Sequence, residues 1–233
     1  MARKKAAKPE SLFNKLVYAA LAIGLLLALN LVFTLVALAT GNFNPNSSGA
    51  QSLLDILSSL AFPLTAIIYM MIRKKSGKEM VEQLGLSKKG LNLTSLKYGL
   101  ALFAALFLLE IGVDIFSNAT GISLPTNVNV LLCGAPAYLL IFSAVGAPID
   151  EEIFFRGFMV PRLGIVASAL IFGLLHYLSY ASISEFIAAF VFGLLAGYVF
   201  KKLNSIYPTI FAHMGVNAFT IVALLLTGGL CQT

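Results

Sequence analysis

The 233-residue chain is too apolar for a soluble domain, since 59% of its residues are hydrophobic and only 11% are charged, whereas soluble domains carry roughly 25% charged residues. Its formal net charge of +6 comes from short basic runs beside apolar stretches, a pattern that indicates anionic lipid headgroups. We therefore expect an integral membrane protein in the lipid bilayer and no nucleic-acid partner.

Seven apolar segments can cross, or nearly cross, a hydrocarbon core of about 30 Å. The predicted fold is an all-α, polytopic membrane helix bundle of about seven transmembrane helices with a short interfacial helix, in one domain over 16–228. Residues 1–15 are expected to form a basic cytoplasmic N-terminus and residues 229–233 a short tail. The predicted spans are 16–40, 53–72, 96–116, 128–160, 164–180, 184–200 and 207–226.

The first span has a competing interpretation as a cleavable signal peptide. Its apolar stretch is longer than the h-region of about 7–15 residues that is typical of signal peptides. We therefore favour a retained signal anchor.

The basic residues predict the orientation of the spans. Lys201 and Lys202 mark the sixth connection, while the segments 41–52 and 117–127 contain neither Lys nor Arg. The positive-inside rule then predicts a cytoplasmic N-terminus and an outside C-terminus. The second connection contains the densest group of basic residues: Arg73, Lys74, Lys75, Lys78, Lys88 and Lys89.

The same connection is predicted to contain the interfacial helix. Met80, Val81 and Leu84 share one face of the segment 78–84, with charged residues opposite. Gly85 suits the residue that follows such a helix, because glycine readily adopts the left-handed conformation found there.

Two residue pairs fall on the predicted outer side. Cys133 and Cys231 share that oxidising face, where we favour two free buried thiols over a disulfide. Glu110 and Asp114 lie one turn apart in the outer half of the third span, without a basic residue in the adjoining sequence. Three explanations are compatible with two carboxylates at this position: they are protonated, they are hydrogen-bonded, or they lie near the membrane interface.

Three patterns in the last third of the chain place ionisable side chains in apolar helices. They are Glu151-Glu152-x-x-x-Arg156, Phe172-x-x-x-His176 and His213-x-x-x-Asn217. A charged side chain at the centre of a membrane helix costs roughly 2.5–3.5 kcal/mol, so this set indicates a functional site. A lone buried histidine more often joins two helices by a hydrogen bond, but the two histidines of this chain can meet a carboxylate and an amide in the cytoplasmic half of the membrane.

The spacing of the first pattern separates its two glutamates. Neighbouring residues of a helix point in different directions, whereas Glu152 and Arg156 share one face and can pair. Glu151 is then left to face a polar cavity, where burial disfavours its charged form and so suits it to act as a general base. A purely structural ion pair would explain Glu152 and Arg156 but not Glu151.

In this order and placement the motifs resemble the CPBP family, which comprises the CAAX proteases and bacteriocin-processing (Abi) enzymes and includes the Ras-converting endoprotease. The resemblance covers about 135–228. It implies an intramembrane endopeptidase that acts on a membrane-associated protein or peptide, for example a prenylated CAAX protein. By position it implies that Glu151 and His176 activate a water molecule, and that His213 and Asn217 donate hydrogen bonds to the oxyanion. Glu152 and Arg156 would fix the helix that carries Glu151, and Phe172 would pack the cavity wall.

Metal dependence is the main alternative within this class, since such enzymes are often labelled metalloproteases. Glu151, His176 and His213 could supply three zinc ligands. We favour a site without a cofactor, because the spacing is not His-Glu-x-x-His and a liganding Glu151 would no longer serve as the base.

Two other classes of protein compete with the protease. A non-catalytic membrane scaffold or regulator would not need a complete set of catalytic residues. A transporter would predict an inverted repeat or paired broken helices, which the sequence does not contain. The substrate and the oligomeric state are not predicted.

Overall fold

The computed structural model describes residues 11–39, 48–122, 124 and 127–231, and every regular element in these ranges is helical. The all-α class is therefore confirmed. Of the predicted basic N-terminus, residues 1–10 lie outside the described ranges, as does the segment 40–47. In chain order the helices are α1 (Leu12–Ala39), α2 (Ser48–Ile72), α3 (Gly77–Gln83), α4 (Leu93–Thr120), α5 (Val128–Leu132), α6 (Ala137–Ile141), α7 (Ala147–Glu152), α8 (Val160–Leu163), α9 (Ile165–Tyr180), α10 (Ile183–Leu203) and α11 (Tyr207–Thr227).

Two π-helical stretches, Phe142–Gly146 and Ile153–Met159, join α6, α7 and α8 into one continuous rod over 137–163. Within the described residues, four helices are long and apolar enough to cross a membrane, and α1 and α9 contribute shorter apolar stretches. The protein is thus a polytopic membrane helix bundle, and its count of seven spans stays a prediction. The four helical stretches are Leu53–Ile72, Leu93–Thr120, Ile183–Leu203 and Tyr207–Thr227.

The predicted fourth span, 128–160, is wrong at its start. The structure ends α5 at Leu132 and begins α6 at Ala137. Between them Gly134 has a φ of 70°, a left-handed conformation that glycine adopts readily. Pro136, at the N-cap of α6, cannot donate a backbone hydrogen bond to a preceding turn. The rod therefore starts after this turn and continues three residues past the predicted end.

The short helix predicted in the second connection is present as α3, and its interfacial placement stays a prediction. Ser76 caps it: its side-chain oxygen accepts a hydrogen bond from the Glu79 backbone N–H, and its own backbone N–H donates one to the Glu79 carboxylate. Gly85 follows the helix with a φ of 71°, as its sequence position predicts. Of the predicted apolar face, Leu84 is buried and packs into the core with Met80, whereas Val81 is 43% exposed.

The two ends of the bundle differ chemically. At one end, the basic end, α4 and α11 begin side by side. There the Tyr207 hydroxyl donates a hydrogen bond to the Leu86 carbonyl at 3.0 Å. The basic residues of this end are Arg73, Lys74, Lys75, Lys88, Lys89, Lys201 and Lys202. At the opposite end, the disulfide end, a Cys133–Cys231 bond joins the segment after α5 to the turn after α11. The expectation of two free thiols is therefore wrong. The reason is that Gly228 ends α11 in a left-handed conformation and turns the chain back toward α5, leaving the two Cα atoms 4.8 Å apart.

Small residues bring α9 close to α10. A Cβ atom added to Gly193 would lie 2.7 Å from the Ala169 Cβ, and one added to Gly173 would lie 3.1 Å from the Phe186 carbonyl oxygen. Close backbone contact of this kind is how membrane helices gain van der Waals packing. It fixes α9, the helix that carries His176, against the bundle.

Candidate active site

Glu151 and Glu152 lie in the last turn of α7, between the two π-helical stretches of the rod. A π-helical turn is rare and is frequently found at functional sites. The Glu152 side chain is fully buried, whereas that of Glu151 keeps 19% of its surface exposed. The two neighbours therefore face different surroundings, as the helical spacing predicts.

Glu152 contacts two cationic or polar side chains through one oxygen atom. Its Oε1 lies 3.0 Å from Arg156 Nη1, which is the pair that the i,i+4 spacing predicts. The same oxygen lies 3.1 Å from His213 Nδ1, a contact that sequence reasoning missed, because it joins residues on α7 and α11. The contact orients the imidazole so that Nε2 points toward Glu151, with 3.9 Å between that nitrogen and Glu151 Oε2.

The orientation of His213 limits its chemistry. If its Nδ1 donates to the Glu152 carboxylate, Nε2 can donate a second hydrogen bond only in the imidazolium form. In that form the ring can donate one hydrogen bond to Glu152 and a second one to a developing oxyanion.

Arg156 is held by aromatic rings as well as by its carboxylate. Its guanidinium carbon lies 4.4 Å from the centroid of Phe172 and 4.7 Å from that of Phe192, within the range of cation–π attraction. The side chain is 1% exposed. Phe172, expected to pack the cavity wall, thus also stacks on the cation that accompanies Glu152.

His176 is anchored one turn back along its own helix. Its Nδ1 lies 3.0 Å from the Phe172 carbonyl oxygen, and its ring centroid lies 4.3 Å from that of Phe172. Because a carbonyl can only accept, Nδ1 carries the proton and the neutral ring keeps Nε2 as an acceptor. A nitrogen in this state can accept a hydrogen bond from a water molecule.

The side-chain amide of Asn217 already makes one hydrogen bond within the protein. Its Nδ2 donates to the Ser143 carbonyl at 2.9 Å, where the first π-helical stretch passes α11. An amide nitrogen carries two hydrogens, so one donor remains available. The interaction fixes Asn217 on the wall of the cavity, one turn from His213.

A cavity of about 610 Å³ brings the four predicted catalytic residues together: Glu151, His176, His213 and Asn217 all line it. A smaller cavity of about 110 Å³ lies on the other side of Glu151 and His176 and includes Phe172 and Tyr180. Sequence reasoning missed Tyr180, which lines both cavities. Its spacing, one turn after His176 on the same helix face, was the available signal.

The arrangement of the donor set bears on the zinc alternative. Among the described residues, no group of three or more His, Cys, Asp or Glu side chains is arranged to hold a metal ion. Glu151 Oε2 and His213 Nε2 are 3.9 Å apart, whereas ligand atoms at about 2.1 Å from a tetrahedral zinc lie about 3.4 Å from each other. Glu151 and His213 are therefore not preassembled around a tetrahedral centre, and the site without a cofactor stays a prediction.

Comparison with known proteins bears on the same region. Residues 134–219 match the family model described as Type II CAAX prenyl endopeptidase Rce1-like. The match contains all three motifs and agrees with the family that they resemble. No curated protein and no solved structure matches the chain.

Proposed function

We propose that this chain, whose residues 134–219 match the family model of the Rce1-like type II CAAX prenyl endopeptidases, is an intramembrane endopeptidase that uses Glu151 as its general base. Proteins of this family cleave peptide bonds, and the bundle that carries the motifs is built for a bilayer. The substrate in this proposal is a membrane-associated protein or peptide. The site uses no metal ion.

The observation that carries the proposal is the set of polar atoms converging on one cavity. Glu151 Oε2 is buried without a hydrogen-bond partner among the described protein groups, and it lies at the cavity wall with His176, His213 and Asn217. A buried carboxylate oxygen without a partner is costly to stability. A water molecule or a substrate group is the natural partner for it.

The reaction then follows from the donors and acceptors in place. A water molecule donates its hydrogens to Glu151 and to His176 Nε2, and its oxygen attacks the scissile carbonyl as Glu151 takes a proton. His213 and Asn217 donate hydrogen bonds to the resulting oxyanion. When the tetrahedral intermediate breaks, the C–N bond is cleaved and the proton passes from Glu151 to the leaving amine. Glu152 and Arg156 position His213 and the helix that carries Glu151.

A membrane scaffold is the alternative from another class. It would use the same bundle to bind a partner without hydrolysis. Glu151 Oε2 has no hydrogen-bond partner among the described protein groups, and this favours the hydrolase, because a scaffold needs no carboxylate oxygen left open to a water molecule or a substrate.

The test compares wild-type membranes with membranes that contain Glu151→Gln, which keeps the shape of the side chain and removes the base. New N-termini, identified by mass spectrometry, should appear with the wild type and be absent with Glu151→Gln at equal abundance. Asn217→Ala removes one oxyanion donor and should slow cleavage by about 10²–10³. Glu82→Gln, an exposed carboxylate of α3, is the matched control and should behave as wild type.

Two outcomes would contradict the proposal. Undiminished cleavage by Glu151→Gln would show that Glu151 is not the general base, and the proposed hydrolase mechanism would then be wrong. Loss of cleavage on addition of a chelator, restored by zinc, would replace the metal-free mechanism by a metal-dependent one.

A further inference from the structure

Three residues line both cavities of the site and so form the boundary between them: Glu151, His176 and Tyr180. The function proposed above uses Glu151 and His176 but gives the smaller cavity no role. The rest of the smaller lining consists of Ser179 and four apolar side chains, those of Phe62, Phe155, Phe172 and Leu175.

The groups that the proposed reaction needs are divided between the two cavities. His213 and Asn217, the proposed oxyanion donors, line only the larger cavity. Glu151 and His176, which are proposed to activate water, line both. On that proposal a scissile carbonyl lies in the larger cavity, next to its oxyanion donors. The other side of Glu151 and His176 then faces the smaller cavity.

This division matters because each hydrolysis consumes one water molecule. A substrate in the larger cavity displaces water from the side of Glu151 that it covers. The hydrocarbon core of a bilayer contains no water that could replace it. A second space that contacts Glu151 and His176, and that the substrate does not fill, would keep the nucleophile in place.

The smaller cavity has the size and the polar groups that bound water needs. Its volume of about 110 Å³ is enough for about three water molecules at about 30 Å³ each. A purely apolar cavity stays dry, whereas a buried water molecule needs about two to four polar partners. The lining offers the Glu151 carboxylate, the His176 ring and the hydroxyl groups of Ser179 and Tyr180. Glu151 Oε2 is buried without a hydrogen-bond partner among the described protein groups.

Tyr180 is held in place at the boundary. Asn127 Nδ2 donates to its carbonyl oxygen at 2.7 Å, and Ala181 ends α9 directly after it with a φ of 48°. The ring centroid of Tyr180 lies 5.9 Å from that of His176. The phenol therefore stays beside the histidine, and its hydroxyl can both donate a hydrogen bond to water and accept one.

We propose that the smaller cavity is a water-binding site, that the hydroxyls of Ser179 and Tyr180 hold water there, and that Glu151 receives its nucleophile from this site. The inference rests on the proposed function and adds the source of its water. Substrate and water then bind on different sides of Glu151, so a substrate that fills the larger cavity does not displace the nucleophile.

The first test detects the water without using catalysis. In nanodiscs, hydroxyl radicals made from water by a short X-ray pulse oxidise side chains that touch bound water, and mass spectrometry locates the oxidised residues. Phe155 and Phe172 line only the smaller cavity and are each 1% exposed. Phe158, which is 0% exposed and lines neither cavity, is the matched reference. Phe155 and Phe172 should be oxidised several-fold more than Phe158, and Ser179→Leu, which adds an apolar side chain to the wall, should remove this excess.

The second test separates the supply of water from the binding of substrate. Cleavage is measured with a fluorogenic peptide that contains a cleavage site found by the comparison of N-termini above. Tyr180→Phe removes one hydrogen bond to the water and should lower kcat by about 2–10-fold with KM unchanged. Tyr177→Phe, on the same helix but in neither lining, is the matched control and should behave as wild type.

Equal oxidation of Phe155, Phe172 and Phe158 in the wild type would overturn the inference, because the smaller cavity would then be dry. This comparison needs no variant, so it decides the question even if Ser179→Leu fails to fold. A Tyr180→Phe protein with a raised KM and an unchanged kcat would also overturn it, since Tyr180 would then contact the substrate. Unchanged kinetics would do the same, since the water held by Tyr180 would not be the nucleophile.

Failure of the proposed function gives a different result. Excess oxidation of Phe155 and Phe172 in a protein that cleaves nothing would count against the hydrolase, while the water-binding site would stand. Cleavage that depends on Glu151 in a protein with a dry smaller cavity would count against the water-binding site alone.

Discussion

The carboxylate of Glu152 connects two helices to the site, since one of its oxygens contacts both Arg156 and His213. Arg156 in turn is enclosed by Phe172 and Phe192. Arg156 therefore gives the buried Glu152 side chain an oppositely charged partner, and Glu152 holds His213 toward Glu151. On this view Arg156 is a positioning residue that touches no reacting atom.

Replacing Arg156 by alanine should destabilise the protein by about 3–5 kcal/mol, because it leaves a buried carboxylate without its charge partner. Abundance in the membrane and the thermal unfolding temperature in detergent should fall together with activity. Arg156→Lys keeps the charge but loses the planar group that stacks between the two rings, so it should recover part of the stability. A fully stable but inactive Arg156→Ala protein would instead place Arg156 in the chemistry.

Among the contacts of individual residues, the sequence could predict those between residues close together in the chain but not those between distant ones. The Glu152–Arg156 pair is one helical turn apart, so spacing alone predicts it. The Glu152–His213 contact spans 61 positions and depends on how α7 and α11 pack, which periodicity does not encode. The cysteine prediction was wrong for a similar reason, because it weighed burial and missed the turn that brings Cys231 back to Cys133.

At the scale of elements, the rod over 137–163 departs most from the sequence prediction. Apolar periodicity places a helix there but does not distinguish α-helical from π-helical turns. The second π-helical stretch also contains Gly157, where the backbone of Leu84 comes close: a Cβ atom at Gly157 would lie 2.8 Å from the Leu84 carbonyl oxygen. The connection that follows α3 is thus packed directly on the helix that carries Glu151.

Gly157→Ala should therefore destabilise the protein by about 1–3 kcal/mol, the usual cost of overpacking a well-packed core. The close neighbour is backbone, which cannot move aside as a side chain would. Gly77→Ala is the matched control, since a Cβ atom at Gly77 meets nothing within 4 Å. Thermal unfolding in detergent and limited proteolysis after α3 measure the effect. Equal stability of the two variants would show that the connection is not packed on the rod in the membrane.

At the scale of the whole molecule, two independent features agree on orientation. The basic end carries the lysine and arginine runs, which favour the cytoplasm. The opposite end carries the Cys133–Cys231 bond, and disulfides persist in oxidising compartments. Neither feature depends on the other, since one is a distribution of charge and the other a contact between distant segments.

This agreement predicts the topology and the redox state together. In a Cys133→Ser, Cys231→Ser background, a cysteine at Lys88 should react with a membrane-impermeant maleimide only after the cells are opened. A cysteine at Ile122, which is 53% exposed beyond the other end of α4, should react in intact cells. In the native protein, mass spectrometry without reduction should recover the peptides of Cys133 and Cys231 as one linked species. Labelling of Lys88→Cys in intact cells would reverse the predicted orientation.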